Sequence, residues 1–285
     1  MNLMRYSLTI LLLTLIAGCG TLATNNPSAD VSPPREQHSQ LAQLLEKAEK
    51  QQFDLYAPET FSEVTDYYLS TSKYLTSRPA KAKESAGKGI RLARQLADEA
   101  ENIKQKLAPV DKARQNAVAA GAADLLKEDM AEADEQLADT ARILEDKPDY
   151  NTEELSKELI ETYSNIELRA LKQDVMGKAD NLLDMADERD LAKYAPRTMR
   201  LAEEEFLAGT SLLAADRTQT ERAAIHAENV VTHIEHAEAI TERIKQFQKS
   251  ESTLEDVLLW HENQLAEAAQ PIIAELPKRQ GFAAL

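Results

Sequence analysis

The sequence predicts an all-α protein built from three helical-hairpin units of about 69 residues, stacked as an elongated α-solenoid or a segmented antiparallel bundle. Three observations carry this reading. Tyr56-Ala57-Pro58 returns as Tyr194-Ala195-Pro196, an offset of 138 residues, which is twice 69. Within a unit, apolar residues recur at alternating steps of four and three, the spacing of one helix face. The 285 residues include 43 Ala but only 14 aromatics and 8 Gly, a composition that suits helices packed through small side chains.

The chain opens on an address. Residues 1–18 carry Arg5, an apolar stretch from Leu8 to Ile16, and Ala17-Gly18 before Cys19, the layout of a signal peptide. That stretch is far shorter than the ~20 residues of a spanning helix, so no permanent transmembrane segment is expected there. Ile16-Ala17-Gly18-Cys19 resembles the bacterial lipobox, in which a small residue precedes a Cys that is acylated and becomes the new N-terminus. The resemblance implies that Cys19, the one thiol of the chain, is consumed by lipid. Gly20 after it resembles the outer-membrane sorting signal of Gram-negative lipoproteins. Two or three acyl chains, at ~0.8 kcal/mol per buried CH₂, make a stable anchor. Residues 19–38 contain Asn25-Asn26-Pro27-Ser28 and Ser32-Pro33-Pro34 without apolar periodicity, and read as a flexible tether reaching roughly 25 Å.

The repeats follow at 39–108, 109–177 and 178–250, with a C-terminal helix and tail at 251–285. Ala48, Ala117 and Ala186 are spaced by 69, as are Leu75, Leu144 and Leu213. Between them lie Phe61/Met130/Met199, Val64/Ala133/Ala202 and Tyr68/Leu137/Phe206, apolar in every copy. In the first unit, positions 57, 61, 64, 68, 71 and 75 are apolar except for Thr71. Pro58 and Pro196 suit the first position of a helix. One helix therefore ends near Tyr56 and another runs from Pro58 to about Ser77. Longer helices are expected from Lys81 to about Leu107, from Thr152 to about Asp174, and from Thr220 to about Lys249. Thr218-x-x-Glu221 has capping-box spacing before the last of these. Pro109, with Ala108 restricted before it, ends or kinks the first. Ser252-x-x-Glu255 is expected to open a final helix through Gln270, before Pro271. The middle unit diverges, with Leu125-Leu126-Lys127 in place of Tyr-Ala-Pro. A lone hairpin leaves its apolar face uncovered, so the units are expected to stack. Leu75, Leu144 and Leu213 should then be equally buried, with Glu128 and Glu205 on the surface.

At the two Tyr-Ala-Pro tripeptides, an amphipathic helix is followed by an Ala-studded one, such as that of Ala86, Ala93, Ala97 and Ala100. There the chain is similar to a family of Ala-rich, tetratricopeptide-like helical domains of unknown function in bacterial envelope lipoproteins. The resemblance covers about 40–107 and 178–245 well and the middle unit poorly. It implies a helical-repeat fold and an envelope location, and it brings no catalytic residues.

Among chemistry-bearing residues, His226, His233 and His236 lie on one expected helix, within about a quarter-turn of each other. Imidazoles so placed could hold Zn or Cu, or they edge the apolar stripe of Ala223, Ala227, Val230, Ile234 and Ala237. No Glu precedes any of them by three residues, as the di-iron bundle motif requires; no metal or cofactor is expected. Tyr67 and Tyr74 form a second stripe on the first unit. They either pack against the leading helix or a neighbouring unit, or serve as aromatic anchors for a partner in a concave groove. Gly87 and Gly89 lack a phosphate-loop pattern and read as points of close helix approach. From Asp124 to Glu161 there are 14 acidic and 4 basic residues, net −10: a solvated face or a docking surface for a basic partner.

The formal net charge of −16 argues against nucleic-acid binding, and a single Cys allows no intramolecular disulfide. The expectation is a non-enzymatic, lipid-anchored periplasmic scaffold of the cell envelope, facing the periplasm from the outer membrane in a Gram-negative cell. It would be tied to the membrane through acylated Cys19 and bind a protein partner. The alternatives are a peptide- or glycan-binding module or, less favoured, a His-dependent metal-binding protein.

Overall fold

A computed structural model describes residues 33–275; Cys19, the signal peptide and most of the expected tether lie outside the described residues. The described residues form helices and no strand. The first unit comprises α1 (Pro34–Lys50), the one-turn α2 (Phe53–Tyr56), α3 (Pro58–Tyr74) and α4 (Pro79–Lys106). Next come α5 (Ala108–Ala119), α6 (Ala122–Leu125), α7 (Lys127–Asp146) and α8 (Glu153–Glu188). The chain continues through α9 (Leu191–Tyr194), α10 (Pro196–Ala215), α11 (Thr220–Lys249) and α12 (Leu254–Glu275).

The backbone repeats with the sequence offset. Gln52 (φ 60°), Gly121 (φ 82°) and Asp190 (φ 54°) are all left-handed, and each stands just before a one-turn helix. Gly takes this conformation freely, whereas Gln52 and Asp190 hold it at a cost of roughly 1–2 kcal/mol each. After each one-turn helix, Ala57, Leu126 or Ala195 turns the chain with φ between −147° and −130°, and a long helix follows at once. The Tyr-Ala-Pro tripeptide is thus not required for the turn, since Leu126 of Leu125-Leu126-Lys127 adopts it too.

Three expectations about element bounds are corrected. Helix α1 starts at Pro34, inside the expected tether, because Gln37 is buried and the His38 ring stacks on Tyr68 with centroids 4.6 Å apart. The boundary at 177/178 falls within α8, which runs unbroken to Glu188, well past Asp174. At the equivalent place in the first unit, the helix does break, at Leu107, two residues before Pro109. Gly177-Lys178, standing where the first joint has Ala108-Pro109, keeps its backbone donors and lets the helix continue. Caps also differ from expectation. The Thr218 hydroxyl donates to Asp216 Oδ1 (2.7 Å) rather than capping α11. It is Thr253 and Asp256 that cap α12 reciprocally, Thr253 N donating to Asp256 Oδ2 (2.7 Å) and Asp256 N to Thr253 Oγ1 (3.2 Å), and α12 passes Pro271.

Helix α3 packs along α4, and α10 along α11; α1 packs on α4, α5 on α8, and α8 again on α11. One core cluster runs from Leu41 to Ala170 and joins the first two units; a second spans Ala179 to Ala237, and Met176 of α8 meets Leu213 and Ala223 in a small third. Val64, Ala133 and Ala202 share a register and are all fully buried. So are Thr71 and Thr140, almost completely, and each hydroxyl satisfies itself on its own helix: Thr71 on the Tyr67 carbonyl (2.7 Å), Thr140 on that of Gln136 (3.0 Å). Their counterpart Gly209 admits Met176, whose Sδ stands 2.8 Å from where a Cβ would project. Leu144 and Leu213 are buried as expected; Leu75 is only half-buried, because it is the C-cap of α3 rather than part of the helix. Among the described residues, no helix is long and apolar enough to cross a membrane.

Candidate functional site

The joint between the first two units holds a buried polar cluster supplied by α2, α4, α5, α7 and α8. Tyr56, fully buried at the end of α2, donates its hydroxyl to Asp111 Oδ1 (2.5 Å), and the other Asp111 oxygen accepts from Gln115 Nε2 (2.7 Å). Lys104 Nζ stands 3.9 Å from Asp111 and 5.3 Å from the centroid of the Tyr56 ring. Alongside, Arg114 grips Asp134 with Nε (2.7 Å) and Nη2 (2.8 Å), the two-pronged geometry that a guanidinium favours. Its Nη1 donates to Gln52 Oε1 (3.0 Å), and the Tyr163 hydroxyl donates to Asp134 Oδ1 (2.7 Å).

Electrostatics make this cluster a clamp. Burial, followed by the hydrogen bond to Asp111, raises the Tyr56 pKa; burial, followed by the Asp134 charge, raises that of Tyr163. Burial alone pulls the Arg114 guanidinium down, but the Asp134 hydrogen bonds and charge outweigh it and the pKa rises. Both tyrosines therefore stay protonated donors and Arg114 stays charged. A second grip lies beside the first. The Glu145 carboxylate, at the end of α7, accepts from Glu59 N (3.0 Å) and Thr60 N (2.9 Å), two amides that the first turn of α3 leaves free. A negative charge also meets the positive end of the α3 dipole there.

Little of this was singled out in the sequence. Arg114 occupies the repeat position that holds Leu45 and Leu183 in the other copies, so a charged residue on an otherwise apolar stripe was the available signal. Asp134 replaces Thr65 and Glu203, and Tyr163 replaces Arg94 and Thr232.

The predicted residues are dispersed. Tyr67 is half-buried against the core, where Gly89 lets the helices close up: a Cβ on Gly89 would stand 2.7 Å from Leu41 Cδ2 and 2.9 Å from Tyr67 Cβ. Gly87 meets only Arg91, at 3.8 Å, so the close approach belongs to Gly89. Tyr74 lies apart at the end of α3, its ring centroid 5.9 Å from Lys73 Nζ, Arg78 Cζ and Lys81 Nζ alike. His226 Nδ1 stands 2.7 Å from Glu205 Oε2, which also accepts from Asn229 Nδ2 (3.1 Å). Glu205 is thus half-buried rather than a plain surface residue, and the hydrogen bonds from His226 and then Asn229 lower its pKa. His233 is half-buried and His236 exposed; among the described residues, no three His, Cys, Asp or Glu side chains converge where one metal ion could sit. Cys19 lies outside the described residues.

Two open grooves follow the unit boundaries. One, of about 490 Å³, is floored by Leu92, Ile103 and Leu144 between α4 and the end of α7, with Asp98, Glu99 and Lys106 on its walls. The other, of about 600 Å³, lies between α8 and α10, with Met176 and Phe206 in it and Arg169, Lys172 and Asp180 around it. Neither is lined by Tyr67 or Tyr74. Compared with protein-family models, curated proteins and solved structures, the chain matches none. What the geometry offers is surface: two open grooves at the unit boundaries, and a joint that fixes how two hairpins present them.

Proposed function

We propose that this chain is a non-enzymatic, lipid-anchored scaffold of the bacterial cell envelope. Acylated Cys19 holds it at the outer membrane, and the helical units present their boundary grooves to a periplasmic protein partner. The observation that carries the reading is Ile16-Ala17-Gly18-Cys19 behind an apolar stretch too short to span a bilayer. The likeness to Ala-rich helical domains of envelope lipoproteins supports it. Wild-type protein should incorporate radiolabelled palmitate and fractionate with membranes. Cys19→Ser should do neither; if it fractionates like wild type, the anchor is not at Cys19. Crosslinking in intact cells, followed by identification of the captured protein, tests the scaffold half of the reading.

The second reading, a peptide-binding module, is favoured by the groove between α8 and α10, where apolar Met176 and Phe206 lie beside Arg169 and Lys172. It moves the expected anchors from Tyr67 and Tyr74 to this boundary.

A further inference from the structure

One end of the first unit carries the wrong sign of charge for this protein. Between Lys73 and Arg94 stand seven basic residues and one acidic one, net +6, in a chain whose net charge is −16. The equivalent stretch of the second unit, 142–163, has three basic and seven acidic residues, net −4; that of the third, 211–232, has two and three, net −1. The excess is therefore a property of one repeat and not of the fold. All seven basic side chains are exposed, and of them Lys88 alone is ion-paired among the described residues, to Glu84.

The contacts of α1 show which way this end faces. Leu41 of α1 packs against Gly89 of α4, and fifteen residues further along the chain from each, Tyr56 at the end of α2 lies beneath Lys104 of α4, so α1 advances in the same direction as α4. Followed backwards from Leu41, α1 passes His38, stacked on Tyr68, and reaches Pro34 about 10 Å further on at ~1.5 Å per residue. Followed backwards from Gly89, α4 reaches Lys83 and Lys81 over a similar distance. The chain therefore enters the fold beside Lys73, Arg78, Lys81 and Lys83. Pro34 follows Cys19 by 15 residues, so whatever path they take, this end lies within roughly 50 Å of Cys19.

We infer that this basic end is a docking surface for the anionic phospholipid headgroups of the membrane, seating the first unit end-on with Tyr74 at the headgroup level. The inference rests on the anchored reading for the membrane's presence, and it assigns the orientation that an acyl chain alone leaves free. Tyr74 suits the role, since a ring ringed by three cations offers an apolar body and a polar tip to the interface. Each Lys or Arg close to an anionic surface strengthens partitioning about fivefold.

The test uses full-length Cys19→Ser, which has no acyl chain, in co-sedimentation with phosphatidylcholine vesicles with and without phosphatidylglycerol. Binding should be stronger to the anionic vesicles and weaken with salt. K73E/R78E/K81E should lower that binding at least tenfold, and the neutral K73Q/R78Q/K81Q should lower it in the same direction, both with unchanged circular dichroism. R142E/K147E/K157E makes the same change in net charge on the second unit and should leave binding within twofold. Equal losses in the two reversal variants would overturn the inference in favour of general charge, and equal binding to both kinds of vesicle would overturn it in favour of apolar insertion. If K73E/R78E/K81E instead abolishes self-association measured by sedimentation without vesicles, the surface serves the acidic face of a second copy and the membrane assignment is wrong. Palmitate labelling of the wild type judges the anchor separately, so failure of either idea leaves the other readable.

Discussion

The joint between the first and second units and the joint between the second and third solve one problem in two ways. At the first, the helix breaks at Leu107 and α5 sets off afresh; Tyr56 to Asp111, Arg114 to Gln52 and Glu145 capping α3 cross between the hairpins, while Asp134 holds Arg114 in place from within the second unit. One apolar core then runs through both units. At the second, α8 passes straight through and serves as the second helix of one hairpin and the leading helix of the next. Helices α9, α10 and α11 all pack on α8, and none of them packs along α5, α6 or α7. The core is divided there, into the cluster of Ala179 to Ala237 and a small one in which Met176 of α8 meets Leu213 and Ala223. A broken helix needs side chains to fix the angle between units; a continuous one fixes it through backbone hydrogen bonds. The polar clamp is found where the backbone is interrupted.

The largest expected effect tests the clamp. Arg114→Ala leaves Asp134 in a largely buried site with Tyr163 as its remaining donor and strips Gln52 of its partner. Breaking a buried pair from one side typically costs ~3–5 kcal/mol; because Asp134 keeps some solvent contact, about 3 kcal/mol is expected by urea unfolding. Arg114→Ala/Asp134→Ala should recover part of that loss, as it removes the stranded charge. Glu203→Ala, at the repeat position of Asp134 but exposed, should stay within about 0.5 kcal/mol. Equal effects of Arg114→Ala and Glu203→Ala would mean that the two joints are held alike.

The complementary test cuts the continuous helix. Lys178 is exposed in α8, so Lys178→Pro changes little packing but removes the hydrogen bond to the Asp174 carbonyl and crowds that turn. A loss of roughly 3 kcal/mol is expected, with the third unit melting separately from the first two in calorimetry. Pro109→Lys, the reciprocal exchange, should shift stability by less than about 1 kcal/mol, because Leu107 and the clamp already set the bend. A silent Lys178→Pro would show that α8 does not couple the units.

The same contrast explains what could be read beforehand. The helical class, the spacing of 69 and the break near Pro109 are local: periodicity and proline chemistry act within a turn or two of chain. Ala48, Ala117 and Ala186, aligned by that spacing, are all buried. The unbroken α8 is not legible in the sequence, because nothing at Gly177-Lys178 forbids either outcome; the register of α9, α10 and α11 against it decides. Tyr67 and Tyr74 lie on one face of α3, yet Tyr67 packs against the core beside Gly89 while cations surround the ring of Tyr74. The clamp is not legible either, because its members come from residues 52 to 163 and meet only after the hairpins stack. The basic end was countable from the sequence, but its meaning depends on α1 running parallel to α4.

The smallest effect is a pH dependence confined to the first joint. Tyr56 and Tyr163 are buried donors whose pKa values are raised from the ordinary value of 10.0 by burial, with Asp111 and Asp134 adding to it. A raised folded-state pKa means that the unfolded chain releases its phenolic proton first. Their stabilising contribution is therefore complete below pH 10 and is lost as pH rises above it. Each tyrosine should cost about 1.4 kcal/mol per pH unit in that range. Lysines elsewhere titrate nearby, so the difference between proteins is the quantity to read. Tyr56→Phe/Tyr163→Phe should be less stable than wild type at neutral pH, by about 1 kcal/mol for each lost hydrogen bond, and should fall less steeply above pH 10. Tyr194→Phe, at the repeat position of Tyr56 in the third unit, should leave stability at neutral pH within about 0.5 kcal/mol: among the described residues no carboxylate accepts from its hydroxyl, and its half-buried ring lies beside Lys193 and Lys245. Parallel slopes for the wild type and the double Phe variant would place the first-joint tyrosines in contact with water and remove the clamp's distinction between the two joints.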